Sequence, residues 1–250
     1  MKKLLVLQNI EREGPGLFTK IAKEKGFLPE IYNLSIGEKL PEAKKEDLIL
    51  IMGGPMSVRD IQNEKYFWLR EETDYIKRAI ENQISIIGVC LGAQLLAHIL
   101  GGKIEPLKDE FDKGNKPEIG WSEISSVHEK FNEETSFRLE KPLKVLHWHG
   151  DRIRLPIQAE LLACSARCDE QLFKVGEFMY GLQFHVETVG FMTDDWIKND
   201  KEFIISGLGE NGQEFLKHQC EKFESSSFNA RYLFIKKLFN KIIEHKKTSS

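Results

Sequence analysis

Residues Gly88-Val89-Cys90-Leu91-Gly92 place a cysteine between two glycines. The apolar run Ile84-Ser85-Ile86-Ile87 comes directly before, and a helix-compatible run, Ala93 to Leu100, directly after. That order is strand, sharp turn, helix, with a nucleophile at the turn. With serine in place of cysteine, the same spacing is the elbow that raises a hydrolytic nucleophile above a sheet. The flanking glycines would let the backbone take a strained turn without side-chain collisions. The free N–H groups at the start of the following helix would stabilise negative charge near the sulfur. The competing reading is an inert core cysteine. Two glycines at the elbow spacing argue against it.

A cysteine nucleophile needs a base, and the base needs an orienting group. The segment Gly181-Leu182-Gln183-Phe184-His185-Val186-Glu187 offers both. Side chains two apart on a strand share a face, so His185 and Glu187 can meet. A carboxylate beside an imidazole fixes its tautomer and stabilises the imidazolium. Taken alone, His-x-Glu is more often a structural ion pair; the cysteine turn elsewhere reverses that balance. The third requirement is a pair of N–H donors for the developing oxyanion. One is the amide of Leu91. The other would come from Gly53-Gly54 at the carboxyl edge of a neighbouring strand, where open parallel sheets bind ligands. An ordinary glycine turn remains an alternative for that pair.

The surrounding pattern supplies elements to position these groups. Leu4 to Gln8, Pro29 to Leu34, Asp47 to Met52 and Ile84 to Val89 read as buried strands, alternating with helices over Leu17 to Lys25 and Tyr66 to Glu81. The alternation predicts a doubly wound, mostly parallel sheet with helices on both faces. The middle changes character. Short strands are expected over Trp121 to Val127, Leu143 to His147, Leu161 to Ser165, Leu172 to Val175 and Met179 to Phe184, with a hairpin turn at Gly176-Glu177. These read as an antiparallel or mixed continuation of the sheet. After Glu187 the chain turns helical. Phe228, Tyr232, Ile235, Phe239 and Ile242 form an amphipathic stripe docked on the core, with Ser225-Ser226-Ser227 as its cap. The expected organisation is one catalytic unit over residues 1–190 and a helical extension over 191–250 packed on it.

Composition narrows the class. Of 250 residues, 41% are hydrophobic and 30% charged, enough apolar material for a full core without staples. A net charge of −3 gives no sign of a general nucleic-acid binder. The C-terminal lysines read as a solvated helix face. The N-terminal apolar stretch is too short for a signal peptide, and no run reaches membrane-spanning length, so no membrane partner is expected. The four cysteines, at 90, 164, 168 and 220, form no CxxC pair and read as reduced thiols of a cytoplasmic protein. His147 and His149 alternate on a strand, but no third and fourth ligand stand at recognisable spacing, so no metal is expected. His98, in an apolar helix, reads as a core histidine. No P-loop or dinucleotide fingerprint occurs, and no cofactor is expected.

Taken together, the motifs resemble those of the class I glutamine amidotransferases, in their stand-alone, GMP-synthase-like branch. The matching stretches are Met52-Gly53-Gly54-Pro55-Met56-Ser57, Gly88 to Gln94, His147-Trp148-His149-Gly150-Asp151 and Gly181 to Glu187, with Glu118-Ile119-Gly120-Trp121 pointing to the branch. The likeness spans about residues 3 to 190. It implies a Cys90-His185-Glu187 triad. Gly54 and Leu91 would form the oxyanion hole. Gly53, Gln94 and the backbone of His149-Gly150-Asp151 would hold the substrate. Two departures stand out. Val186 takes a position where the family often has proline. About 60 residues follow Glu187, too few for an ATP-dependent synthase domain. The expected activity is hydrolysis of the γ-glutamyl amide of glutamine or a γ-glutamyl compound, through a cysteine thioester. Ammonia would pass to a synthase subunit; alternatively the chain is a γ-glutamyl peptidase acting alone on glutathione-like compounds, or a non-catalytic regulatory module of the same fold.

Overall fold

The computed structural model describes residues 1–109, 114–127 and 137–248, the side chains of the last two excepted. Its frame is a nine-stranded sheet. Five of the strands are β1 (Lys3–Gln8), β2 (Leu28–Asn33), β3 (Leu48–Ile51), β4 (Ser85–Val89) and β11 (Met179–Leu182), and every pairing among them is parallel. The rest, β10 (Leu172–Val175), β9 (Ala159–Ser165), β6 (Glu118–Ser126) and β7 (Leu143–His149), continue the sheet antiparallel. Across the sheet the order is β2-β1-β3-β4-β11-β10-β9-β6-β7. The β10–β11 hairpin turns at Gly176, with φ 57.

The apolar runs are explained by cover on both faces. In β3, Leu48 and Leu50 pack toward α1 (Leu17–Glu24) and the last helix, α6 (Gly212–Thr248). Ile49 and Ile51 pack toward α2 (Trp68–Glu81) and α3 (Leu91–Ile99). Alternating side chains therefore all meet a helix, and polar residues have no face to occupy. Phe239 of α6 is fully buried and meets Phe27 edge-on at 5.7 Å between centroids. Truncating such an anchor to alanine costs about 3–5 kcal/mol.

Helix α4 (Gly190–Asn199) and helix α5 (Lys201–Leu208) join α6 over the antiparallel end, around Trp121, Leu146, Trp148 and Trp196. A separate ribbon pairs β5 (Lys103–Pro106) with β8 (Asp151–Arg154). That ribbon has too little alternation to read from sequence.

Three expectations are corrected. Strand β11 ends at Leu182 rather than Phe184; the chain then irregularly bridges His185 to Leu146. Ser225 to Ser227 do not cap a helix. Helix α6 runs through them, and the hydroxyls of Ser226 and Ser227 back-bond to Lys222 and Glu224 carbonyls within it. Phe228, counted in the buried stripe, is 38% exposed, because the stripe begins to face the core only further along.

Candidate active site

Four neighbouring parallel strands, β1, β3, β4 and β11, release their chains at one sheet edge. The carboxyl end of β4 delivers Cys90 as the cap residue of α3. Cys90 has φ 51 and ψ −107, a rarely populated conformation for a residue with a side chain. Strain of this kind is worth about 1–3 kcal/mol and persists only where the surroundings impose it. Here they do: Cys90 N–H donates to Leu182 at 2.7 Å, and Gln94 N–H to Cys90 at 3.0 Å. The flanking glycines act by their missing Cβ rather than by their own φ. A Cβ on Gly88 would lie 2.5 Å from the Gly92 carbonyl carbon, and one on Gly92 would run into the Ile51 backbone.

His185 and Glu187 meet as the spacing implied. Nδ1 and Oε1 are 2.7 Å apart and both residues are at most 1% exposed. Burial would disfavour the imidazolium. The charge of Glu187, with hydrogen bonds from the imidazolium to Cys90 and Glu187, outweighs it and raises His185 well above its ordinary range. The second Glu187 oxygen accepts from Val186 N–H at 2.9 Å. The Glu187 carbonyl accepts from Leu17 at 3.0 Å, tying this segment to the start of α1. On its other side the imidazole meets the Trp196 indole edge-on, 4.7 Å between centroids.

Cys90 opens into a cleft of about 530 Å³ whose walls include Gly54, Leu91, Gln94, His149, Gly150 and Asp151. The segment His149-Gly150-Asp151 falls where β7 ends and β8 begins. Asp151 pairs with Arg59 Nη2 at 3.1 Å. Gln94 Nε2 donates to Gln183 at 3.2 Å, which fixes its head group. Gly53 is not on the cleft wall. It lies behind, where a Cβ would collide with Glu13 Oε2 and sit 3.3 Å from both Cys90 Cβ and His185 Cε1. A larger hollow of about 1050 Å³ at the opposite end of the sheet, lined by Lys2, Lys45 and Lys246 among others, contains neither Cys90 nor His185.

The strand pairing brings a third potential ligand to His147 and His149. Glu118 stands opposite His149 across β6 and β7, and the three ligand atoms lie within 4.8 Å of one another. Sequence spacing concealed this, since Glu118 is far from both in the chain. The donor set suits a metal by type; Glu118 and His149 belong to a hydrogen-bonded network, while both ring nitrogens of His147 are buried without a hydrogen-bond partner among the described residues. Glu118 Oε2 is 3.2 Å from His149 Nε2 and accepts from Gln171 Nε2 at 2.9 Å; His149 Nδ1 bonds the Asp151 carbonyl at 2.8 Å. Burial pushes His147 down to about 4, so it stays neutral. The network's evident consequence is to fix the His149–Asp151 corner.

Other contributors were not singled out in the sequence. Arg12 and Glu13 follow the first strand, where only the following Gly14-Pro15-Gly16 hints at a tight turn at a strand edge. Trp196 and Asp200 lie in the helical extension. Arg231 of α6 is fully buried, and its Nη1 donates to the carbonyls of Val186 and Thr188 at 3.2 and 2.7 Å. Of the remaining cysteines, Cys168 is raised to about 12, chiefly by burial, which makes it inert. His98 is exposed rather than a core residue.

Comparison with known proteins fits this geometry. Residues 20–203 match the family model described as glutamine amidotransferase class-I. The chain belongs to the class I glutamine amidotransferases. Within the family it is 30% identical to the glutamine amidotransferase-like protein YfeJ of Salmonella typhimurium, over 79% of this chain and 81% of that one. It is 31% identical to a subunit of the glutamine-hydrolysing GMP synthase of Sulfolobus acidocaldarius, over 74% of this chain and 89% of the relative. The crystal structure of a glutamine amidotransferase from Thermotoga maritima superimposes with a TM-score of 0.78 at 26% identity, covering 97% of this chain and 98% of that one. Among the described residues, no helix is long and apolar enough to cross a membrane.

Proposed function

We propose that this amidotransferase hydrolyses a γ-glutamyl amide through a Cys90 thioester. The observation that carries the reading is the buried His185–Glu187 contact of 2.7 Å beside a cysteine held at φ 51 on the cleft wall. Cys90 attacks the side-chain carbonyl. His185 gives its proton to the departing nitrogen, and Glu187 holds the imidazole in the required tautomer. Leu91 and Gly54 line the same cleft, and in this reading their amides serve the oxyanion. At one end, Asp151 and its partner Arg59 suit the α-ammonium and α-carboxylate of the glutamyl group, with Gln94 and the His149-Gly150-Asp151 backbone beside them. Water then releases glutamate.

Two leaving groups fit this chemistry. The Sulfolobus relative is named as a subunit of GMP synthase, which favours ammonia delivered to a synthase partner. The cleft volume, about 530 Å³, together with a second ion pair on its wall favours a larger γ-glutamyl substrate. The test is mass spectrometry of the intact protein after exposure to a glutamine-analogue alkylator. One adduct is expected on the wild type and none on Cys90→Ala. Equal labelling of Cys90→Ala would remove the thioester from the mechanism.

A further inference from the structure

The cleft that Cys90 lines carries two ionic poles. One is Arg59–Asp151. The other is Arg12–Asp200, with Arg12 Nη2 and Asp200 Oδ1 2.5 Å apart, and both residues line the same cleft. The second pole lies on the side of His185. Trp196, packed against that imidazole, donates from Nε1 to the Arg12 carbonyl at 3.0 Å, and Asp200 accepts from Trp148 Nε1 at 3.1 Å. Glu13 adjoins both this pole and His185. It is 6% exposed, lines the cleft, and its carboxyl makes no hydrogen bond among the described residues. Through Gly53 it packs against both Cys90 and His185. Its carboxyl is open to the cleft and free to meet a ligand there.

We propose that Arg12 and Glu13 form a leaving-group subsite, which takes an amino acid or short peptide released from a γ-glutamyl compound: Glu13 receives the departing amine and Arg12 the leaving group's carboxylate. The inference rests on the γ-glutamyl hydrolysis proposed above. His185 protonates the departing nitrogen, so the leaving group must lie on the His185 side, where this pair stands. Among the described residues the Arg12 guanidinium hydrogen-bonds Asp200, and its Nε is buried without a hydrogen-bond partner, so most of its donors are uncommitted. A guanidinium so placed matches a carboxylate in shape and charge.

The proton balance is consistent. The Sγ–C bond forms as the C–N bond breaks, and His185 delivers its proton to give a neutral amine. Glu13 is faced by Arg12, His185, Glu187, Asp200 and Cys90. Burial pushes it up to about 7, with His185 and Arg12 pulling the other way. A free α-amine has a pKa of about 7.7–8.0, so the Glu13 proton passes to it downhill and leaves an ammonium beside a carboxylate. That ion pair cannot act as a nucleophile and reverse the thioester. The ammonium product diffuses out, water opens the thioester, and Glu13 regains a proton from solvent. A carboxylate that traps the leaving nitrogen as ammonium suits hydrolysis and opposes delivery of free ammonia.

The test compares glutamine, γ-glutamyl-alanine and γ-glutamyl-alanine amide with the full chain. Wild type is expected to prefer the free acid over its amide by about 10- to 100-fold in kcat/KM, the range for one charge-assisted hydrogen bond. Arg12→Met should erase that ratio and Arg12→Lys, which keeps a cation for Asp200, should retain part of it. Glu13→Gln should lower kcat for γ-glutamyl-alanine about 10-fold or more. Turnover of glutamine with none of the dipeptide, or an acid-to-amide ratio that survives Arg12→Met, overturns the subsite and leaves the hydrolytic reading standing. No turnover of any of the three by wild type, with no alkylation of Cys90, overturns the hydrolytic reading itself.

Discussion

Arg231 Nη1 donates to the Thr188 carbonyl at 2.7 Å, and the bond ties the last helix to the residue that follows Glu187. The same nitrogen reaches Val186 at 3.2 Å, Nη2 reaches the Glu224 carbonyl at 3.1 Å, and the side chain is fully buried. A cation from α6 thus clamps the segment that carries the carboxylate of the candidate triad.

Replacing Arg231 by methionine should orphan these buried carbonyls. The expected loss is on the order of 2–5 kcal/mol, or a fall of roughly 5–15 °C in the melting midpoint for a chain of this size. Turnover should fall with it at temperatures where the variant is still folded, because Glu187 loses its support. Arg231→Lys keeps the charge without the fork and should lie between. A methionine variant that melts and turns over as wild type does would show the clamp to be dispensable.

Gly53 gives a more local test. Adding a methyl group there presses on Cys90 Cβ and His185 Cε1, each 3.3 Å from the new carbon, and displaces the Glu13 carboxyl. Cysteine and imidazole are held on all sides, so the displacement falls on their mutual geometry. Gly53→Ala is expected to keep the fold, read by circular dichroism, and to lose about 100-fold in kcat/KM, the scale for an error of about 1 Å in positioned groups. Wild-type turnover would mean that the catalytic geometry tolerates this shift.

These two positions also show what could be read from the chain. The elbow around Cys90, the His185–Glu187 spacing and the parallel strands were legible because each is a local pattern of residue type and period. The register that sets Glu118 opposite His149 was not, since it depends on two strands pairing across 31 positions. Glu13 and Arg231 were hidden for a different reason. Polar residues on a loop and on a helix look solvated, and only tertiary packing makes one face a cleft and the other a carbonyl clamp. The serine run in α6 misled because serine favours caps, while packing along the whole helix overrode that preference.

Glu72 predicts a pH effect on stability alone. It is fully buried; Asn9 Nδ2 donates to it at 3.3 Å and to the Met52 carbonyl at 3.2 Å, just before Gly53. Burial pushes Glu72 up to about 8, against the pull of the Asn9 hydrogen bond. A folded value above the unfolded one, about 4.3, means that the folded state holds a proton the unfolded state has lost. Its contribution is therefore full below about pH 4 and declines as pH rises toward 8. Glu72→Gln mimics the neutral acid, so its stability relative to wild type should grow over that interval and then level off. Chemical denaturation at several pH values measures the difference; a constant gap would mean that Glu72 does not titrate there.

The pH profile of turnover tests the carboxylate of the candidate triad. Glu187 raises His185 by its charge and by a hydrogen bond, and burial alone would lower it. In the proposed mechanism the imidazolium is the acid, so the alkaline limb would mark where His185 loses its proton. With glutamine in place of Glu187 the supporting charge is gone while burial stays, and His185 must move down. The alkaline limb of Glu187→Gln should therefore shift to lower pH, and kcat should drop by about 100- to 10,000-fold as the tautomer is no longer held. The stability supplied by the imidazolium–carboxylate pair follows the same sign. It is present below the unfolded imidazole value of about 6.5 and lost as pH rises through the raised folded value, so the variant should lose most of its stability relative to wild type at the acid end of that window. A Glu187→Gln enzyme with wild-type kcat and an unmoved alkaline limb would take Glu187 out of the mechanism. The contact of 2.7 Å would then be structural only.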